Sequence, residues 1–221
     1  MLSLLVSLIS HGAALAQSTC DTSALNTTIG SWLVTSTDTI FTIANATSRG
    51  VCDIARANRM SDAVLMVAGE TLIIPAETCD PDDATCLIPN TTYTATCVPG
   101  GLHTYNTRIY DTRAKIAYKF RVSIDSITTL GNTTTPQDEI IEADAQLKIP
   151  QCSPSQCIVQ PYKFTYGTYV DLAEEFNTTV GQIMAFNPTY NYSHEADPDE
   201  GPVISMPMNC VNLTGNTTVI T

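Results

Sequence analysis

The sequence is poor in positive charge. Ten Lys and Arg stand against 22 Asp and Glu, a formal net charge of -12, and because a phosphate backbone demands a basic surface, nucleic acid is excluded as a partner. The same deficit excludes adhesion to an anionic membrane. Histidine is scarce too: His11, His103 and His194 lie far apart and no C-x-x-C pair exists, so zinc-ligand spacing is missing and neither metal nor cofactor is expected. Catalytic phrases such as G-x-S-x-G, H-E-x-x-H and a phosphate loop are absent. Glu174-Glu175 and the loop acids Asp197, Asp199 and Glu200 read as solvated faces, so no enzyme is expected. Past residue 16 no apolar run is long enough to span a bilayer.

What is present begins with residues 1–16, a short apolar run ending in the small-x-small triplet Ala14-Leu15-Ala16. It reads as a signal peptide cleaved before Gln17, the competing reading being an N-terminal core helix. Eight cysteines in a secreted chain imply disulfides. Sequons at Asn26, Asn45, Asn90, Asn132, Asn177, Asn191, Asn212 and Asn216 point to a glycosylated exterior.

The dominant feature is a repeat. Residues 32–75 open on the β-branched and aromatic run Trp32-Leu33-Val34-Thr35 and close on Thr71-Leu72-Ile73-Ile74-Pro75, which predicts a strand at each end. Between them Thr37 and Asp38 offer an N-cap to a helix carrying Ile40, Ile43 and Ala44. After the breaker Gly50, a second helix carries Val51, Ile54, Ala55 and Asn58. Ala44, Ala117 and Ala173 are matched seven residues on by Val51, Ile124 and Val180, and ten on by Ile54, Ile127 and Ile183. Each copy starts on an aromatic (Trp32, Tyr105, Tyr162) and ends apolar-x-apolar-Pro, at Leu72 to Pro75, Leu147 to Pro150 and Ile204 to Pro207.

Three copies divide the mature chain. The expected organisation is a lead-in at 17–31, repeats at 32–75, 103–150 and 162–207, a stapled linker rich in Pro, Gly, Asp and Thr at 76–102, a short linker at 151–161, and a polar tail at 208–221. Repeats two and three are then close neighbours, whereas the longer first linker lets repeat one fold back on either. In repeat two, Tyr105 to Ile109 predicts the first strand, Thr112 to Phe120 the first helix, and Ser123 the cap of a second. In repeat three Thr179 and Gln182 form a capping box ahead of Ile183 and Phe186, and Asn187-Pro188 ends that helix.

The phrase aromatic-x-V-x-x-G-D-T-L-x-x-I-A, then a helix ending in Asn, then G-x-x-L-x-I-P, resembles the LysM module. Copy one carries Thr37-Asp38-Thr39-Ile40, Asn58, Gly69, Leu72, Ile74 and Pro75; copy three carries Gly167, Asn187, Gly201, Ile204 and Pro207. Copy two departs, with Gly131 where Asn is expected and Asp144 in place of the late Gly. Three such modules in a secreted, cysteine-rich chain are similar to the fungal LysM effectors. The resemblance implies an α+β fold of three small βααβ modules stapled by disulfides, and a non-catalytic lectin that binds chitin, a polymer of N-acetylglucosamine. It further implies an extracellular place, in the host apoplast or on the fungal wall, where the protein withholds chitin fragments from host receptors or coats the wall against host chitinases. A homodimer bridged by ligand is compatible with this reading. No D-x-x-D-x-D-x-E run of a chitin hydrolase is present.

Units of this size bury too little surface to stand safely alone. Eight cysteines allow on the order of a hundred pairings, but the outer strands of a βααβ unit are antiparallel neighbours, so cysteines bracketing a unit come close. Cys20 and Cys79, Cys97 and Cys152, and Cys157 and Cys210 bracket the three copies, which leaves Cys52 with Cys86.

An uncharged acetylated sugar asks for a shallow groove with hydroxyls, backbone groups and an apolar floor. In the LysM family two loops carry it, and transfer of that role selects Ser36, Thr37, Asp38 and Thr39 with Asn58, Met60, Ser61 and Asp62 in copy one. Copy two offers Tyr110, Asp111 and Thr112 with Gly131, Asn132 and Thr133. Copy three offers Gly167, Thr168 and Tyr169 with Asn187, Pro188, Thr189 and Tyr190. Asp38 and Thr39 would equally cap a helix, and Asn58 or Asn187 end one. Tyr169 and Tyr190 fall in loops and are the tyrosines expected at the sugar, whereas Tyr105, Tyr162, Phe120 and Phe176 are expected to fill cores. A glycan on Asn132 would obstruct copy two, and copies one and three facing each other would grip one oligosaccharide. Two rival functions remain: an adhesion glycoprotein that uses these folds as scaffold, and an inhibitor of host hydrolases.

Overall fold

A computed structural model describes residues 20–127, 136–190 and 201–220. Residues 1–16, Gly131, Asn132, Thr133, Asn191 and His194 lie outside them. In the first unit β1 (Gly30–Leu33) pairs antiparallel with β2 (Thr71–Ile74), and α1 (Ile40–Thr47) and α2 (Val51–Ala57) lie between them in sequence. In chain order there follow β3 (Val98–Pro99), β4 (Thr104–Asn106), α3 (Arg113–Phe120), β5 (Gln146–Lys148), β6 (Gln151–Ser153), β7 (Ser155–Lys163), α4 (Tyr169–Glu175), α5 (Val180–Phe186), β8 (Val203–Asn212) and β9 (Thr218–Ile220). Strands β4 and β5 pair antiparallel, as do β7 and β8.

The three pairings share one register. Trp32 faces Leu72, Tyr105 faces Leu147 and Tyr162 faces Ile204, so the aromatic that opens each copy always meets the first apolar residue of the closing phrase. Cross-strand pairs of aromatic and aliphatic side chains are a main source of sheet stability. The first helices also start and stop alike. Thr39, Thr112 and Thr168 are the N-caps, each hydroxyl accepting from the N–H three residues on. Ser48, Arg121 and Asn177, each four residues past the matched alanine, turn left-handed at φ 55°, 56° and 48°, and the next N–H returns to the alanine carbonyl at 3.0 Å in all three.

Two cores result. In the first unit Ile40, Ile43, Ile54 and Leu72 pack around Cys52 and Cys86. The second and third units share one core, in which Tyr105, Phe120 and Leu147 meet Phe164, Leu172 and Ile183. Each such side chain contributes about 1.5–3 kcal/mol by leaving water. The shared core needs a glycine: a Cβ on Gly181 of α5 would lie 2.5 Å from the Phe120 ring of α3. Bonds join Cys20–Cys79, Cys52–Cys86, Cys97–Cys152 and Cys157–Cys210.

Four expectations are corrected. Thr39, not Thr37 or Asp38, caps α1, because the Asp38 carboxylate turns back to Thr35 and Trp32. The second helix of unit two is a single 3-10 turn, Ile124–Ser126; the Ser123 hydroxyl bonds Ser126 rather than a free N–H, and the β-branched run Ile127-Thr128-Thr129 disfavours helix. Residues 151–161 are no loop, since β6 and β7 occupy them. Nor is 208–221 a free tail: β8 runs on to Asn212, and the β-branched Thr218–Ile220 adds as β9 to β6.

Candidate functional site

Two connections flank the first unit's helices: residues 34–39 between β1 and α1, and 58–70 between α2 and β2. Between them opens a cavity of 480 Å³, within the range of small-ligand sites. Thr35, Ser36, Asp38 and Thr39 supply one side, and Val64, Met66 and Ala68 the other. Phe41, 49% exposed, presents an aromatic surface there. The outer wall comes from the second unit, where Ile109 and Tyr110 follow β4.

Asp38 is organised rather than free. Its carboxylate accepts from Thr35 N at 2.8 Å, from Thr35 Oγ1 at 2.9 Å and from Trp32 Nε1 at 3.2 Å. The backbone bond from Thr35, then the Trp32 indole and the Thr35 hydroxyl, hold its carboxyl below the ordinary range. Asp38 thereby fixes the loop. Thr37 stands exposed, its hydroxyl 3.2 Å from that of Thr35. A cleft with an apolar floor, an exposed ring and threonine hydroxyls suits an uncharged sugar better than an ion.

The second-loop residues divide by role. Asn58 is tied into the fold: its amide donates to Ile54 O and Ile73 O and accepts from Ile73 N, each at 2.8 Å. It thus satisfies both backbone groups on the outer edge of β2, as a third strand would. Asn187 brackets Ile183 and Ser205 in the same way. Met60 is wholly buried in the first core. Asp62 is buried and lies 3.8 Å from Lys119 Nζ. Ser61 lines a second cavity of 280 Å³ at the junction of the units, with Arg108, Asp144, Thr189 and Tyr190. Val67 and Ile109 border both cavities.

In the second unit Tyr110 is 59% exposed, whereas Asp111 is buried and Thr112 caps α3. Asp111 repeats the Asp38 design, accepting from Tyr105 Oη six residues earlier at 2.7 Å and from Arg108 N at 2.8 Å. It adds a buried cation, Lys119 Nζ, at 2.6 Å. Burial opposes charge on Lys119, but Tyr105, Asp111 and Asp62 outweigh it and keep the ammonium protonated.

The third unit's first loop docks on the first unit. Gly167 N donates to Arg56 O at 3.2 Å and Tyr169 N to Met60 O at 3.3 Å. Tyr190 Oη donates to Arg59 O at 2.7 Å. Arg56 forks onto Asp171 at 2.8 Å and Asp82 at 2.7 Å. Burial alone would raise both carboxyls, yet bonds from Thr85, Ala84 and Arg56 on Asp82, and from Arg56 and Thr168 on Asp171, hold them low. Thr168 is spent as a cap. Pro188 and Thr189 are exposed.

These contacts correct one expectation. Tyr169 is wholly buried against Phe164 and Tyr190, its hydroxyl without a partner among the described residues, so its ring fills a core instead of meeting a sugar. The first and third units also touch through direct backbone bonds at these loops, while Ser61 of the first and Thr189 and Tyr190 of the third border the junction cavity together. Conversely, Val34, Phe41, Val64, Met66, Val67 and Ala68 of the open cavity escaped sequence reading. The α2 to β2 connection is long, and its apolar run at 64–67 resembles core; only the polar half beside Asn58 carried a signal.

Comparison with known proteins gives one family match and several relatives. The LysM domain matches residues 33–75. Over 206 residues the chain is 48% identical to "Secreted LysM effector LysM13" of Penicillium expansum, covering 91% of this chain and 88% of that protein. It is 34% identical over 179 residues to "Secreted LysM effector ECP6" of Passalora fulva, covering 80% and 77%. With "Secreted LysM effector ELP2" of Colletotrichum higginsianum it shares 32% over 114 residues, covering 52% of this chain and 62% of that one.

Proposed function

The chain belongs to the secreted LysM effectors, and from that premise we propose that it is an extracellular, non-catalytic lectin that captures chitin oligomers and holds them unaltered. On this reading residues 1–16 are a leader and 32–75, 103–150 and 162–207 are three LysM modules, the second and third too diverged for the family pattern that matches the first. Its use is to keep chitin fragments from host receptors or to cover the fungal wall.

One observation carries the reading: the open cleft of the first module, bounded by Thr35 to Thr39 and by Val64 to Ala68, with Phe41 beside it. N-acetylglucosamine offers an apolar ring face, an acetyl methyl and neutral amides and hydroxyls. The cleft offers apolar side chains, an aromatic ring and threonine hydroxyls, and its carboxylate is already engaged by Trp32 and Thr35. The sugar accordingly lies on the first module, outside the contact between the first and third.

Calorimetric titration of the deglycosylated protein with chitin hexamer tests this, together with retention on insoluble chitin. Saturable heat, retention, and recovery of intact hexamer are expected. An adhesion scaffold or an inhibitor of hydrolases gives neither heat nor retention, and shortened sugar would refute the non-catalytic assignment.

A further inference from the structure

Tyr110 is a surface tyrosine in a costly conformation. At φ 62° its backbone sits in the left-handed region, where the repeat phrase carries glycine. Packing does not account for it, since the side chain is 59% exposed. A large side chain kept where glycine would be easier points to a task at the surface.

Its surroundings say which task. Ile109 and Tyr110 line the same cavity as Thr35, Asp38, Phe41 and Met66 of the first module. The loop that holds them is fixed at several points. Lys115 Nζ donates to Tyr110 O at 3.0 Å, Arg108 N donates to Asp111 at 2.8 Å, and Asp111 N returns to Arg108 O at 3.1 Å. Lys119 then bolts this loop to the other module, pairing with Asp111 at 2.6 Å and facing Asp62 at 3.8 Å. Asp62 lies two residues before Val64, where the first module's side of the cavity begins. A wall held in place before the ligand arrives loses little entropy on binding.

We propose that the first loop of module two is the outer wall of module one's sugar site, with Tyr110 as the residue that covers the bound oligomer. The site is therefore shared between two modules, and because Val67 and Ile109 border the junction cavity as well, an oligomer longer than the first cleft continues toward Ser61 and Arg108. The inference rests on the chitin-binding reading given above.

The test uses Tyr110→Gly, which removes the ring while giving the backbone the residue its φ favours, so the fold is not put at risk. Trp32, the single tryptophan, donates to Asp38 at the cleft and reports binding through its emission. Chitin hexamer titrated into the full-length disulfide-bonded protein is expected to bind Tyr110→Gly about tenfold more weakly than wild type, as for loss of an aromatic contact. Tyr110→Phe keeps the ring and should bind like wild type. Equal affinity of Tyr110→Gly and wild type overturns the shared wall and leaves the lectin reading intact. Failure of the wild type itself to bind, in this titration and on insoluble chitin, overturns both.

Discussion

Asn58 separates a structural role from a ligand role. Its amide makes three hydrogen bonds of 2.8 Å, to Ile54 O, Ile73 O and Ile73 N, and the residue is 4% exposed. Asn58→Ala leaves two carbonyls and one N–H without that partner in a largely buried place. At roughly 1 kcal/mol for each lost bond, with more where water cannot enter, destabilisation of about 3 kcal/mol follows. Urea denaturation under non-reducing conditions, followed by Trp32 emission from the same module, should then show a midpoint lower by about 1–2 M. Asn58→Asp should fare little better, because a carboxylate accepts from Ile73 N but repels both carbonyls. Exposed Asn45 serves as control, and Asn45→Ala should leave the midpoint in place. Below the transition the folded Asn58→Ala protein should keep wild-type affinity for chitin hexamer. An unchanged midpoint with lost affinity would refute the reasoning and return Asn58 to the sugar.

Other perturbations read the contacts within and between the three units. Lys119→Met strands buried Asp111 and should cost about 3–5 kcal/mol, of which Lys119→Met with Asp111→Asn recovers more than half, since only the more distant Asp62, 3.8 Å from Lys119 Nζ, then keeps a charge without that cation; chemical denaturation measures both. Gly181→Ala forces Phe120 aside and should cost about 1–3 kcal/mol, seen as a lower melting temperature. Asp171 and Asp82 titrate below their ordinary value of 3.8, so their stabilisation is complete above that value and is lost as pH falls through the depressed values. Wild type should therefore weaken steeply below about pH 4. Arg56→Met, costing about 1–2 kcal/mol at neutral pH given the partial exposure of these groups, should flatten that acid slope in denaturation curves taken across pH.

Much of the architecture was legible because it repeats. The spacing of Ala44, Val51 and Ile54 recurs, and the structure gives the three copies matching caps, left-handed turns and strand registers. The same frame brackets the cysteines, and the bonded pairs are those the brackets select. Legibility stopped where pairing is long-range. Nothing local in Thr218–Ile220 announces that its partner is Gln151–Ser153, sixty-odd residues away. The site was half visible: Thr35 to Thr39 sit in a motif, but Val64 to Ala68 look like core until the turn that exposes them is seen. Tyr169 misled for the opposite reason, since it opens α4 rather than standing in a loop, and its ring is buried against Phe164 and Tyr190 of its own unit.

The central claim is that the first module's cleft, closed by the second module, holds an uncharged acetylated oligosaccharide. Amide chemical-shift mapping of isotope-labelled, deglycosylated protein titrated with chitin hexamer tests it most directly. Perturbations gathered at Thr35 to Thr39, Val64 to Ala68 and Ile109 to Tyr110 are predicted. Shifts confined to Gly167, Thr168 and Tyr190, or none on saturation, would contradict it.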